Sequence, residues 1–243
     1  MAFWKIIIFL LVLLILFEVG QFLIYFQKAR TISDQTESFS YKPDDINLRI
    51  LVAGDSTAAG AGTKPINSVA GRFHQDFPEA EIVNLGKSGY KIKDVRQSLE
   101  QTEDNFDLAI LHAGANDILY FTALSKAKTE MGKLLTEANK ISDNVILITS
   151  GDIGKSPILP FPVGWYYSSR SKKYLNTFEE IAKQKEVAFV DIYNSEKNVK
   201  FEKEPDKYYA PDKIHLSGEG YKLWYDQIRE TMKRNNIKLK NHE

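Results

Sequence analysis

Four short blocks of the chain carry the residue types that acyl-transfer chemistry needs. Gly54-Asp55-Ser56-Thr57 offers a hydroxyl, and Asn84-Leu85-Gly86-Lys87-Ser88-Gly89 offers backbone N–H groups at glycines. Gly114-Ala115-Asn116-Asp117 adds a side-chain amide, and Asp212-Lys213-Ile214-His215 places a carboxylate one turn before an imidazole. A serine hydroxyl is a poor nucleophile until a base removes its proton. Histidine supplies that base near neutral pH, and a carboxylate on its other nitrogen fixes the tautomer and stabilises the imidazolium. The tetrahedral intermediate also needs preorganised donors at its oxyanion. A glycine lets a substrate come close to a backbone N–H, and an asparagine donates from its amide. Ser56, Asp212 and His215 are therefore the candidate catalytic residues. The N–H groups of Ser56 and Gly86 and the side chain of Asn116 are the candidate oxyanion hole.

Each block has a plainer reading when taken alone. Gly-Asp-Ser is a common turn, Asn116 or Asp117 can cap a helix, Asp212 can be a loop carboxylate, and Ser217 can be a cap. Their occurrence together, in order, favours the chemical reading.

These blocks must be positioned by something, and the apolar pattern shows what. Arg49–Ala53, Glu81–Leu85, Asp107–Leu111, Asn144–Ile148 and Val187–Asp191 read as five buried strands. Between them, Val69–Phe77, Ile92–Glu100, Leu124–Ile141 and Ser169–Lys185 read as helices, and Ser217–Lys233 as a closing helix. Near-continuous apolar strands alternating with helices imply a parallel sheet covered on both faces, hence a three-layered α/β domain. Ligands of such a sheet bind at the carboxyl ends of its strands. Three of the blocks follow strands, and the fourth precedes the closing helix.

With these residues in this order, the chain resembles the SGNH (GDSL-type) hydrolase superfamily. Its Ser, Gly, Asn and His correspond to Ser56, Gly86, Asn116 and His215, and the Asp of its D-x-x-H block to Asp212. The resemblance implies a flavodoxin-like α/β/α sandwich with a five-stranded parallel sheet. It also implies a metal-independent esterase, lipase, thioesterase or carbohydrate-deacetylase activity that needs no cofactor. Thr57 stands where the eponymous motif often has Leu. No G-x-S-x-G elbow surrounds Ser56, which argues against the ordinary α/β-hydrolase fold.

Composition removes other classes. Lys plus Arg and Asp plus Glu both total 32, so no net field draws the chain to nucleic acid. The absence of cysteine excludes disulfides, thiolate catalysis and cysteine-ligated metal. His74, on an expected helix surface, His112, at a strand end, and His242, in the tail, form no spacing that would hold a metal. Gly60 and Gly62 are too few for a phosphate cradle, and no Rossmann or Walker pattern is present. Asp55 and Asp117 are expected to hold loops through backbone hydrogen bonds.

The N-terminus is of another kind. Ile6 to Phe17 is an uninterrupted run of Ile, Phe, Leu and Val, with Lys5 before it, Lys28 and Arg30 after it, and Trp4 and Tyr25 near its ends. About 20 such residues suffice for a helix to cross roughly 30 Å of hydrocarbon. A cleaved signal peptide lacks its small-residue site here, and a buried core helix does not suit an apolar run with no polar face. Residues 1–30 are thus expected to be a membrane anchor, with Glu18 a costly carboxylate within it. Residues 31–46 are expected to be a polar linker, 47–234 the hydrolase domain and 235–243 a polar tail.

Lys155 to Ser168 reads as an apolar loop that either caps the core or walls an acyl pocket, with Phe161 and Trp165 among its aromatics. The whole reads as a membrane-anchored serine hydrolase acting on a small-molecule, lipid or glycan acyl ester. An acyltransferase, a glycan deacetylase or a non-catalytic binding module remain as alternatives.

Overall fold

The computed structural model describes residues 2–160, 162–194 and 198–239. Phe161 and His242 lie outside the described residues. The five apolar runs form strands β1 (Arg49–Gly54), β2 (Glu81–Gly86), β3 (Leu108–His112), β4 (Val145–Ile148) and β5 (Ala188–Val190). They make one parallel sheet in the order β2-β1-β3-β4-β5. Alternate side chains point to opposite faces, as strand geometry requires. Ile50, Val52, Leu108, Ile110, Ile146 and Ile148 enter one core; Leu51, Ala53, Ala109, Leu111, Val145 and Leu147 enter the other.

Helices cover both faces. The first core is closed by α3 (Val69–Asp76), through Val69, Ala70 and Phe73, and by α10 (Gly218–Arg234), through Tyr221, Trp224, Ile228 and Met232. The second is closed by α4 (Ile92–Glu100), α6 (Leu124–Ile141) and α7 (Val163–Gln184). Each fully buried aliphatic or aromatic side chain contributes about 1.5–3 kcal/mol. The remaining helices are α1 (Ala2–Asp34) and the short α2 (Ser56–Ala59), α5 (Ala115–Leu119), α8 (Asn198–Lys203) and α9 (Pro205–Tyr208). This is the α/β/α sandwich expected from the sequence.

Three local expectations change. First, α7 begins at Val163, so the second half of the expected loop is helical. Pro162, at the cap, needs no N–H partner there. Trp165, Tyr166 and Tyr167 lose only a few tenths of a kcal/mol against good helix formers. Tyr166 and Tyr167 also pack on Phe121, at 6.1 and 5.8 Å between ring centroids. Second, α1 runs on to Asp34, four residues into the stretch read as a linker. The chain after it lies against the sheet: Tyr41 exchanges backbone hydrogen bonds with Ile82 at 2.9 and 2.8 Å, covering the open edge of β2. Third, His74 is half-buried, with its ring 4.2 Å from that of Tyr41.

Candidate active site

From β1 the chain passes to α3 on one face, and from β3 it passes to α6 on the other, so a crevice opens between the ends of these two strands. Ser56 stands there as the first residue of α2. Asp55 caps that helix by accepting the N–H of Thr57 at 2.9 Å. The turn out of α2 needs a left-handed residue, and Gly60 supplies it at φ 89°.

The Asp212 block meets Ser56 from the far end of the sequence. Asp212 is fully buried, and its Oδ1 accepts the N–H groups of Ile214 and His215, both at 3.0 Å. Its Oδ2 lies 2.6 Å from His215 Nδ1, and His215 Nε2 lies 3.1 Å from Ser56 Oγ. An ionised carboxylate only accepts, so Nδ1 carries the proton and Nε2 presents a lone pair to the serine hydroxyl. Burial pushes the Asp212 carboxyl upward, but the bonds from the His215 ring and the two backbone N–H groups outweigh it and hold the group below its ordinary value. Asp212 thus stays ionised beside His215.

Asn116, on α5, lies almost fully buried at the cleft wall, and its Nδ2 donates to Tyr90 O at 2.8 Å. An amide nitrogen carries two hydrogens, which leaves one for a ligand. The neighbouring Asp117 accepts the N–H of Ile92 at 2.9 Å and so holds the start of α4. Asp55 and Asp117 both serve as loop-holding carboxylates, and burial raises both, Asp55 to about 6.

Gly86 sits elsewhere than expected. Its N–H donates to Asn84 Oδ1 at 2.8 Å, and it is not part of the cleft lining. A Cβ there would come within 2.3 Å of the Ala59 nitrogen, so Gly86 serves close packing of β2 against α2. The glycine on the cleft is Gly89, in the same block, with φ 83° and open space where a side chain would project. Among the described residues its N–H donates to no backbone acceptor.

His112 is buried under Trp224, with ring centroids 6.1 Å apart, and burial lowers it to about 3, so it stays neutral. Among the described residues no three His, Asp or Glu side chains gather to hold a metal ion. The cleft has a volume of about 350 Å³. One part of its wall comes from α1, through Phe26, Ala29, Arg30, Ser33 and Asp34, which the sequence did not indicate. Ile153 and Ser156 line it from the loop after β4, whereas Trp165 does not and is 73% exposed.

Comparison with known proteins agrees with this architecture. TesA superposes with a TM-score of 0.60 at 18% identity, covering 77% of this chain and 99% of that one. A variant of Axe2, an acetyl-xylooligosaccharide esterase from Geobacillus stearothermophilus, gives 0.58 at 20% identity over 80% and 96%. A lipolytic G-D-S-L protein from Veillonella parvula gives 0.58 at 18% identity over 77% and 99%. These likenesses carry the fold. No curated protein matches the chain in sequence. A family model does match, and it runs from residue 52 to residue 223, across all five strand ends and the Asp212 block. The chain belongs to the GDSL-like lipase/acylhydrolase family, within the SGNH superfamily, and is a carboxylic ester hydrolase.

Proposed function

We propose that Ser56, His215 and Asp212 are the catalytic triad of this ester hydrolase and that α1 holds it to a membrane. The observation that carries the chemistry is the file of contacts from Asp212 Oδ2 to His215 to Ser56 Oγ, at 2.6 and 3.1 Å. Ser56 Oγ attacks the carbonyl carbon while His215 Nε2 takes its proton. The C–O bond to the alcohol breaks, the alcohol leaves with that proton, and the acyl group stays on Ser56 as an ester. Water repeats the sequence and releases the acid.

The oxyanion is held by the Ser56 N–H, which has no partner within α2 as a first-turn group, and by the Asn116 amide. Gly89 N–H is the third donor, in place of Gly86. The anchor rests on α1, an apolar helix near the N-terminus that is long enough to cross a bilayer.

Ser56→Ala tests the chemistry. It is expected to abolish hydrolysis of p-nitrophenyl acetate and labelling by a fluorophosphonate, while circular dichroism stays that of the parent. Unchanged turnover in this variant contradicts the assignment.

A further inference from the structure

The membrane helix does more than tether the domain, because it forms part of the wall of the catalytic cleft. Phe26, Ala29, Arg30 and Ser33 face the cleft that contains Ser56. Closer to the N-terminus, Ile15, Glu18, Val19 and Phe22 of the same helix line a second cavity of about 420 Å³. At 100° per residue these positions fall on one face of the helix, and Phe22 stacks on Phe26 with centroids 5.9 Å apart. The opposite walls are also continuous in sequence. The segment between β4 and α7 places Ile153 and Ser156 on the first cavity and Leu159, Pro160 and Pro162 on the second, where Val163 at the start of α7 joins them.

The dimensions match a bilayer leaflet. A span of about 20 residues starting near Phe3 ends near Phe22, so the helix from Phe26 onward rises beside the domain. Leu14 to Phe22 then covers about 12 Å of helix, within one half of a hydrocarbon core of roughly 30 Å. Apart from Glu18, the second cavity is lined by apolar residues. Tyr120, on the wall of the first cavity, and Phe121, Trp165 and Tyr166 are exposed, Trp165 by 73%, as aromatics are at a membrane–water interface.

We infer that the substrate is a lipid ester resident in the membrane. Its acyl chain lies in the groove between α1 and the β4–α7 segment, and its carbonyl reaches Ser56 without the chain leaving the leaflet. This rests on the triad and anchor proposed above. It assigns these cavities an occupant, a long acyl chain, because both lie along one face of α1 and along the chain that follows β4, and the one nearer the domain contains Ser56.

The test uses the full chain in dioleoylphosphatidylcholine vesicles, with 4-methylumbelliferyl oleate and acetate as paired substrates sharing one leaving group. Leu159→Trp, which fills the groove, is expected to lower the oleate-to-acetate turnover ratio at least tenfold. Ile24→Trp, on the outward face of α1, is expected to leave the ratio as it is. Fluorophosphonate labelling of each variant confirms a folded site, and where Leu159→Trp does not label, Val19→Trp closes the groove from the helix side. An unaltered ratio in a labelled groove variant overturns the inference and leaves the triad standing. Release of the parent chain from vesicles by alkaline carbonate overturns the groove and the anchor together, again without touching the triad.

Discussion

The two ends of the cleft are built by different physics. At the catalytic end, Asp212 is fully buried and three hydrogen bonds fix it, two from backbone N–H groups and one from His215. Below it, β3 and β4 are buried along their whole length and β1 from Ile50 onward, so the geometry is set by the sheet and by directional bonds. At the helix end, Phe26 and Arg30 are exposed, and farther along the same face Ile15, Val19 and Phe22 present apolar surface to the second cavity. Directional contacts fix where a charge develops, and apolar surface fixes only what can lie alongside. Changes at the first end should therefore slow every substrate alike, and changes at the second should sort substrates by chain length, as Leu159→Trp is expected to do.

The sharpest break in that contrast is Asp212→Asn. The asparagine keeps the shape but favours the wrong tautomer of His215, and turnover of acetate and oleate esters should fall together by about 10⁴-fold. A loss confined to the long-chain ester would show that the catalytic end is not independent of the helix. Asn116→Ala removes one of the proposed oxyanion donors and is expected to lower turnover of both esters by about 10²- to 10³-fold with little change in KM. A rise in KM alone would move Asn116 from the reaction to substrate binding.

The smallest effect concerns stability. Burial raises Asp55 from 3.8 to about 6, so the folded chain binds more protons than the unfolded chain between those values. Its contribution is then present at acid pH and lost as pH rises through about 6. Asp55→Asn keeps an acceptor for Thr57 N–H and cannot ionise. Relative to the parent, the variant should gain stability between pH 4 and pH 7, by at most ~3 kcal/mol, read from urea unfolding at each pH. A difference that is flat with pH would mean that Asp55 titrates normally in the fold.

Much of the domain was legible in the sequence because burial on both sheet faces leaves an unmistakable signal. The five apolar runs became strands within two residues of their expected ends, and Leu124–Ile141 became a helix with the expected bounds. Ser56, Asn116, Asp212 and His215 could be placed because each lies at a strand end or before the closing helix. Gly86 and Gly89 could not be told apart: both occur in one loop block, and only the Asn84 side chain, which takes the Gly86 N–H, decides which glycine faces the cleft.

The docking of α1 was invisible for another reason. A helix that is apolar on every side carries no stripe that says which face meets protein. The start of α7 was obscured by aromatics that suit a loop, a helix or an interface equally well. His74 was misplaced because its burial comes from Phe39 and Tyr41, in a segment whose polar composition suggested a free linker.

The most direct test of the central claim is to find where the acyl-like adduct forms. Full-length protein treated with a fluorophosphonate, digested and read by mass spectrometry should carry one phosphonyl group, on the peptide containing Ser56. The adduct should be lost in His215→Ala. An adduct on another residue, or none at all from protein that still hydrolyses p-nitrophenyl acetate, would contradict the account.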